Sequence, residues 1–205
     1  MSRNFVMLLC LFLCSICNCK NVNNNASLKG SIIVLQPLGN FPEKILSVLK
    51  DSIGRFYPVK VFIAPAKPIP PSFYYTPRNR YRADSIIKWL KKMKPLNVQV
   101  IAGITAHDIS ITKGGIKDYG IMGLGYQPGD ANVTSIFRLK QNNPTERLLE
   151  QRLFKTVVHE IGHNFGLQHC NNKQCIMADA EGKLNQDNES GFCNDCQKKI
   201  TFLNQ

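Results

Sequence analysis

The chain is poor in histidine, poor in acidic residues and without an apolar stretch of membrane-spanning length. Four of its 205 residues are His, and 14 Asp and Glu stand against 26 Lys and Arg. Its longest apolar stretch, residues 5–17, is shorter than the roughly 20 residues that a transmembrane helix needs. No segment repeats along the chain, which argues against a solenoid or a propeller. The length fits one ordinary domain preceded by a short leader.

The shortage of acidic residues leaves a formal net charge of +12. A charge of this size can indicate binding to nucleic acid or to an anionic surface. The lysines are scattered along the chain, however, as on ordinary solvated faces. Their densest cluster, from Lys88 to Lys94, falls late in a predicted helix, where the helix dipole favours cations. The charge alone therefore decides no function.

The first residues are typical of an export signal. Arg3 gives a basic start, residues 5–17 form the apolar segment, and polar residues follow it. We therefore predict a signal peptide over 1–19, an Asn-rich spacer over 20–30 and one domain over 31–205. An uncleaved signal anchor is an alternative, because no clean small-residue cleavage site is present. Another alternative is acylation of Cys17 or Cys19, which would tether the protein to a membrane by lipid.

We accordingly expect an exported protein, whether secreted, periplasmic or held at a membrane by lipid. An exported protein rarely meets its own genome. We therefore predict no nucleic-acid partner, in spite of the basic charge.

Three of the four histidines, His159, His163 and His169, fall within one eleven-residue segment. The first two are four residues apart, which on a helix places them roughly 40° apart on one face. Glu160 lies between them, and Gly166 is spaced where a helix would turn sharply and let the chain return. Three imidazoles leave a fourth position on the metal open, as in a catalytic zinc site. The pattern predicts a zinc hydrolase in which Glu160 is the general base for a zinc-bound water.

The eight cysteines fall into two groups of four, with none between residues 20 and 169. The first group belongs to the predicted leader. The second forms two short pairs, Cys170 with Cys175 and Cys193 with Cys196, spaced as in a four-cysteine zinc site. In an exported protein the same residues would usually form two disulfides. Of these two alternatives we favour zinc.

Read together, these residues compose the pattern HExxHxxGxxHC-x4-C-x-M and, after a spacer, F-C-x2-C. This pattern resembles that of the archaemetzincin family of zinc peptidases, with a slightly shorter stretch between Met177 and Cys193. Similar segments upstream are Tyr74 to Ala83, Gly103 to Ile109, Gly123 to Gly129 and Ser135 to Leu139. The resemblance implies two zinc ions per chain, a catalytic one at the histidines and a structural one at Cys170, Cys175, Cys193 and Cys196. It also places Met177 as the methionine turn beneath the catalytic metal.

The hydrophobic pattern predicts an α/β fold with a mixed, mostly parallel, twisted sheet of about five strands. The expected strands are 31–36, 59–64, 98–105, 120–126 and 133–139, and the expected helices are 42–53 and 82–93. Glycines in 120–126 suit an antiparallel edge strand. A long active-site helix that opens at Asn143-Pro144 and an irregular C-terminal part stapled by zinc complete this metzincin-like prediction.

We therefore expect an exported zinc metallopeptidase that acts as a monomer on peptide or protein substrates. An extended substrate is expected to pair with the edge strand at Gly123, Leu124 and Gly125, where glycines let another backbone approach. The alternative is a zinc-stapled peptide-binding protein with little or no turnover. The intact Glu160 favours the enzyme.

Overall fold

The structure is a computed structural model that describes residues 31–180 and 182–201. The predicted signal peptide and spacer lie outside these residues. In chain order the strands are β1 Ile32–Leu38, β2 Lys60–Ile63, β3 Tyr74–Tyr75, β4 Arg80–Arg82, β5 Val100–Thr105, β6 Ile109–Lys113, β7 Ile116–Ile121, β8 Gly123–Gly125 and β9 Ala131–Ser135. The helices are α1 Glu43–Phe56, α2 Ala83–Met93, α3 Glu146–Asn164 and α4 Asn194–Thr201. No helix in the described part combines the length and apolar character of a membrane span.

The larger sheet has five strands in the order β2-β1-β5-β9-β8. The first four run parallel, and β8 runs antiparallel to β9 with Leu124 opposite Val133. The central strand β5 is buried along its whole length, as expected of a parallel strand covered on both faces. The predicted mixed sheet with an antiparallel edge strand is confirmed.

Helices cover both faces of the larger sheet. On one face α1 and α3 pack against alternate residues of β1 and β5, including Ile33, Leu35 and Ala102. On the other face α2 packs against the residues between them, including Ile101 and Val133. The alternation follows from the two-residue period of a strand. Helix α3 thus lies under the sheet, and its last turns carry the predicted ligands His159 and His163.

A second sheet, in the order β3-β4-β6-β7, was not predicted from the sequence. Two of its strands have only two and three residues, too short to give a periodic signal. The predicted strand 120–126 is in fact divided between the two sheets at Met122, with β7 before it and β8 after it. Likewise, the predicted strand 133–139 ends at Ser135, and a short 3₁₀ turn over Arg138–Lys140 follows.

A buried carboxylate joins the second sheet to the end of β9. Asp108 accepts a hydrogen bond from Arg80 Nε at 2.7 Å and two from the guanidinium of Arg138 at 2.9 Å each. The Arg138 guanidinium also occupies the space that a side chain at Gly120 would need. This contact explains why β7 carries a glycine where it approaches the active-site wall.

Helix α3 begins two residues later than the sequence suggested. Thr145, not Asn143, is the N-cap, and its hydroxyl accepts from the Leu148 amide at 3.3 Å. The helix ends at Asn164, and Gly166 follows with φ of +90°. The predicted sharp turn at this glycine is confirmed.

Arg152 of α3 contacts both the turn after β9 and the segment after Gly166. Arg152, almost fully buried, donates to the carbonyl oxygens of Leu139 and Gln141 at 2.9 Å each. The same guanidinium pairs with Asp187 at 2.7 and 2.6 Å. The predicted irregular C-terminal part does contain one regular element, the helix α4 that carries Cys196.

We expect Arg152→Met to lower the free energy of unfolding by about 2–4 kcal/mol, because the buried Leu139 carbonyl and the partly buried Gln141 carbonyl lose their donor. Urea unfolding of the zinc-saturated protein measures this loss. Asp187 is 38% exposed, so the matched Asp187→Asn change should cost about 1 kcal/mol or less. Equal losses in the two variants would show that the ion pair, and not the carbonyl contacts, supplies the stability.

Candidate metal centre and catalytic cleft

Three imidazoles converge at the end of α3. The ring nitrogens of His159, His163 and His169 that could ligate a metal lie within 4.8 Å of one another, and two Nε2 atoms are 3.2 Å apart. Nitrogens bound to a tetrahedral zinc at about 2.0–2.1 Å would lie about 3.3–3.4 Å apart. The spacing of the imidazoles therefore fits a zinc ion, and the arrangement leaves one side open to the cleft.

Each of these imidazoles has a polar partner at its other ring nitrogen. The three pairs are His159 Nδ1 with Ile176 O at 2.6 Å, His163 Nδ1 with Leu167 O at 2.8 Å and His169 Nδ1 with Asp179 Oδ2 at 3.4 Å. Such partners keep Nδ1 protonated and direct Nε2 towards a metal. Sequence reasoning missed all three, since a backbone carbonyl has no sequence signal and Asp179 belongs to no recognised motif.

The protonation of the imidazoles also suits a metal ligand. Burial, together with the neighbouring His163, lowers the pKa of His159 to about 4. Burial likewise lowers the pKa of His163. Both imidazoles are thus neutral at pH 7, which is the form that ligates zinc.

Glu160 is buried against strand β8. A Cβ atom at Gly123 would overlap its carboxylate, and one at Gly125 would come within 2.6 Å of its carbonyl oxygen. Burial raises the pKa of Glu160 to about 8, although a hydrogen bond from the Gly125 amide opposes the shift. The two glycines therefore make room for this carboxylate. Whether they also admit a substrate backbone, as the sequence suggested, stays a prediction.

Met177 is fully buried next to the ligand helix. Its Sδ atom packs against Gly162, where an added Cβ would lie 2.6 Å away. The carbonyl of Met177 accepts from the Cys170 amide at 2.7 Å. The methionine thus supports the helix from the turn that also joins the cysteine cluster. Its predicted place beneath a catalytic metal stays a prediction.

The four C-terminal cysteines form a second cluster. Their sulfur atoms lie within 4.8 Å of one another, Cys170 and Cys193 are 3.6 Å apart, and none of the four is in a disulfide. Sulfur ligands of a tetrahedral zinc at about 2.3 Å lie about 3.8 Å apart. A hydrogen bond from the Cys196 amide lowers the pKa of Cys193 to about 7, whereas burial raises the pKa of Cys175 and of Cys196. This donor set fits a closed, structural zinc site.

The two clusters are adjacent in the chain and in space. His169 and Cys170 are consecutive, and Cys170 forms a parallel bridge with Ala178, next to Met177. The cysteine cluster therefore fixes the segment that carries the third histidine and the methionine.

A cleft of about 290 Å³ opens beside the histidines. Its walls are α3, the strands β7 and β8, and the segment 176–189. Glu160 and all three histidines line it. The cleft is thus open to the predicted metal site along the unpaired edge of the larger sheet.

Residues 50–201 match the model of peptidase family M54. The chain belongs to this family. Archaemetzincin of Archaeoglobus fulgidus is 32% identical over 171 residues, which cover 83% of this chain and 99% of that protein. Archaemetzincin of Haloquadratum walsbyi is 28% identical over 174 residues, or 80% of this chain and 97% of that one. The resemblance read from the motif is confirmed.

Solved structures agree with this assignment. Archaemetzincin from Methanopyrus kandleri superimposes with a TM-score of 0.75 at 26% identity, covering 86% of this chain and 97% of that one. Archaemetzincin from Archaeoglobus fulgidus, complexed with malonate, gives a TM-score of 0.70 at 30% identity, covering 82% and 99%. The protein is therefore a zinc metallopeptidase with the fold of this family, and His and Cys clusters suited to metal are both in place.

Asn164 is a structural residue of the site that sequence reasoning missed. Its Nδ2 donates to the carbonyls of Tyr126 and Ala131 at 3.1 Å each, and its Oδ1 accepts from Asn132 at 2.8 Å. These contacts fasten the β8–β9 loop to the ligand helix. Its position directly after the second histidine was a signal, but the amide contacts join residues more than 30 positions apart.

We expect Gly123→Ala to lower kcat/KM on the order of 10²-fold, because the added Cβ displaces the Glu160 carboxylate and a shift of about 1 Å is costly. Zinc content and melting temperature should hardly change. The measurement is cleavage of a mixed fluorogenic peptide pool by the zinc-loaded protein.

Gly54→Ala is the matched control, since its added Cβ would meet Val59 O at an ordinary 3.5 Å. It should keep full activity. Full activity in Gly123→Ala as well would mean that the carboxylate does not need its present position.

Proposed function

We propose that this zinc metallopeptidase uses Glu160 as its general base and holds two zinc ions, one at the histidine cluster and one at the cysteine cluster. The observation that carries this proposal is the position of Glu160. Its carboxylate is buried in the cleft beside three converging imidazoles and accepts a hydrogen bond from Gly125. A carboxylate that is not itself a ligand is what metal-assisted peptide hydrolysis needs.

Zinc, when bound to the three imidazoles, would supply Lewis acidity, lowering the pKa of a water and polarising the scissile carbonyl. The protein's own contribution is to hold and move the proton. Glu160 accepts a proton at its carboxylate from the attacking water and donates it to the nitrogen of the leaving amine. Burial supports this role, because it raises the proton affinity of the Glu160 carboxylate above that of a solvent-exposed one.

Strand β8 is the proposed binding site of an extended substrate. It pairs with β9 on one side only, and it runs beside the cleft. The positions of missing Cβ atoms at Gly123 and Gly125 face Glu160, so no side chain of these two residues covers the strand edge. The Gly125 amide donates to Glu160, and the other backbone groups of the edge are the proposed partners of a peptide. A substrate strand would gain main-chain hydrogen bonds there and bring its scissile carbonyl past the imidazoles.

We also propose that the protein works after export and as a monomer. The support for export is the leader in residues 1–19, which lies outside the described residues.

The four converged cysteines are compatible with zinc, and their short spacings support zinc binding over two disulfides.

We expect the purified protein to contain two zinc ions per chain. Mild chelation should remove the histidine-bound ion first, because a site with an open position exchanges more easily than a closed one. Cys193→Ser should leave one ion and lose resistance to proteolysis, since the segment after Gly166 has little other ordering. One ion per chain together with no titratable thiols in the unfolded protein would show disulfides instead.

Glu160→Ala should reduce peptide hydrolysis by about 10²–10⁴-fold, as expected for loss of a general base. Zinc content should be unchanged, because Glu160 is not a ligand. Glu150→Ala, on the same helix and outside the cleft, is the control and should keep full activity. Undiminished hydrolysis by Glu160→Ala would require a different base.

A further inference from the structure

The cleft contains two buried acceptor groups that the proposed chemistry does not use. Gln186 and Glu189 are 5% and 7% exposed, and both line the cleft together with Lys155 and Thr156. They are three residues apart at the two ends of a 3₁₀ turn, a spacing that places side chains on one side. Lys155, whose ammonium contacts the backbone of both residues, lies one helical turn before His159 on α3.

The orientation of the Gln186 amide is fixed by its neighbours. The hydroxyl of Thr156 donates its hydrogen to the Arg152 carbonyl at 2.8 Å, so it can only accept from Gln186 Nε2, 3.3 Å away. The same Nε2 points at Met122 Sδ, another acceptor, at 3.5 Å. The amide oxygen of Gln186 must therefore be directed elsewhere. It is buried and has no donor among the described residues.

The carboxylate of Glu189 is not neutralised either. Lys155 is the cation whose charge acts on this carboxylate, but its ammonium donates to two backbone carbonyls, Gln186 O and Glu189 O, at 2.6 Å each. No ion pair or hydrogen bond reaches the Glu189 carboxylate within the described part of the chain. Burial raises the pKa of Glu189 to about 7 even though the charge of Lys155 opposes the shift.

Neighbouring guanidinium groups are committed elsewhere. Arg138, which also lines the cleft, makes a two-point contact with Asp108, and Arg152 pairs with Asp187. A buried carboxylate and a buried amide oxygen without donors cost free energy. A ligand that brings a cationic donor would satisfy both.

We propose that Gln186 and Glu189 form a substrate subsite for a protonated nitrogen group beside the scissile bond. The group is either the side chain of Lys or Arg or a free α-amine, since both present several N–H donors and a positive charge. The subsite makes Glu189 a specificity-determining residue. It rests on the proposed peptidase function, because it assigns a substrate class to the same cleft.

Blocked hexapeptides with one Lys at each position in turn, and the same peptides with norleucine, test the side-chain source. Norleucine peptides with an unblocked N-terminus test the α-amine. Hydrolysis is measured as kcat/KM on the full-length, zinc-loaded chain. Binding is measured by fluorescence anisotropy with the labelled peptides on the Glu160→Gln variant, so that specificity is read without turnover.

We expect one Lys position, or the free amine, to raise kcat/KM and affinity at least ~10-fold over norleucine, as for a charge-assisted contact. Glu189→Gln should remove this preference and leave the norleucine peptides within about two-fold, because only the charge–charge contact is lost. Glu189→Asp should keep part of the preference. Glu150→Gln, outside the cleft, should keep all of it.

A preference seen only with the free amine identifies the α-amine as the bound group. No preference for any cation in the unmodified protein, or a preference that survives Glu189→Gln, overturns the subsite. Binding preference without hydrolysis of any peptide would refute the peptidase function and leave the subsite standing. Hydrolysis of the peptides without a preference for any cation would support the peptidase function and refute the subsite.

The stability of Glu189→Gln separates a subsite from a structural role. Removing a buried, uncompensated carboxylate should leave the melting temperature unchanged or higher. A lower melting temperature with equal losses on every peptide would show that Glu189 stabilises the fold through Lys155, and would overturn the proposal.

Discussion

Helix α3 and strand β8 lie so close together that one Cβ atom between them would displace the Glu160 carboxylate. This approach sets the position of the base relative to the strand edge, because Gly125 donates to Glu160 from that strand. Asn164 fastens the loop after β8 to the same helix, and Tyr57 donates to the Val158 carbonyl at 2.8 Å just before the first ligand. The helix is therefore fixed by the loop at the sheet edge and by the end of α1. Imidazoles four residues apart then need no further adjustment to face one point.

The segment after helix α3 is ordered by different interactions. It has little periodicity, so its order comes from polar contacts and from ligands that only a metal would complete. Arg152 and Lys155 reach it from α3, and both bind backbone carbonyls or a carboxylate of the C-terminal half of the chain. The cysteine cluster joins the two ends of the segment, through the Cys170 bridge to Ala178 and the Cys175 bridge to Gly191. The third histidine, the cysteine cluster and the proposed cation subsite thus belong to one polypeptide segment.

The sequence predicted those parts of the molecule that repeat or that carry chemistry at fixed spacing. The parallel sheet, its edge strand and the ligand helix follow from periods of two and 3.6 residues. The histidine and cysteine clusters follow from motif spacing. The second sheet was not predicted, because strands such as Tyr74–Tyr75 are too short to show a hydrophobic period. The histidine partners Ile176 O and Leu167 O are backbone atoms, and the pairing of Asp108 with Arg138 spans 30 residues. Contacts of these kinds depend on the tertiary fold and have no local pattern in the sequence.

Some buried charged side chains in the described part of the chain have partners of opposite charge within the fold, and others do not. The buried carboxylates without such partners line the cleft. Asp108 is buried with two guanidinium partners and Arg152 with one carboxylate and two carbonyls, so both are satisfied within the fold. Glu160 and Glu189 are buried to a similar degree, yet burial raises the pKa of each, to about 8 and about 7. A stable fold alone would favour replacing such groups with apolar residues. Their common location along one 290 Å³ cleft supports both proposals, in which Glu160 acts on a zinc-bound water and Glu189 contacts a substrate cation.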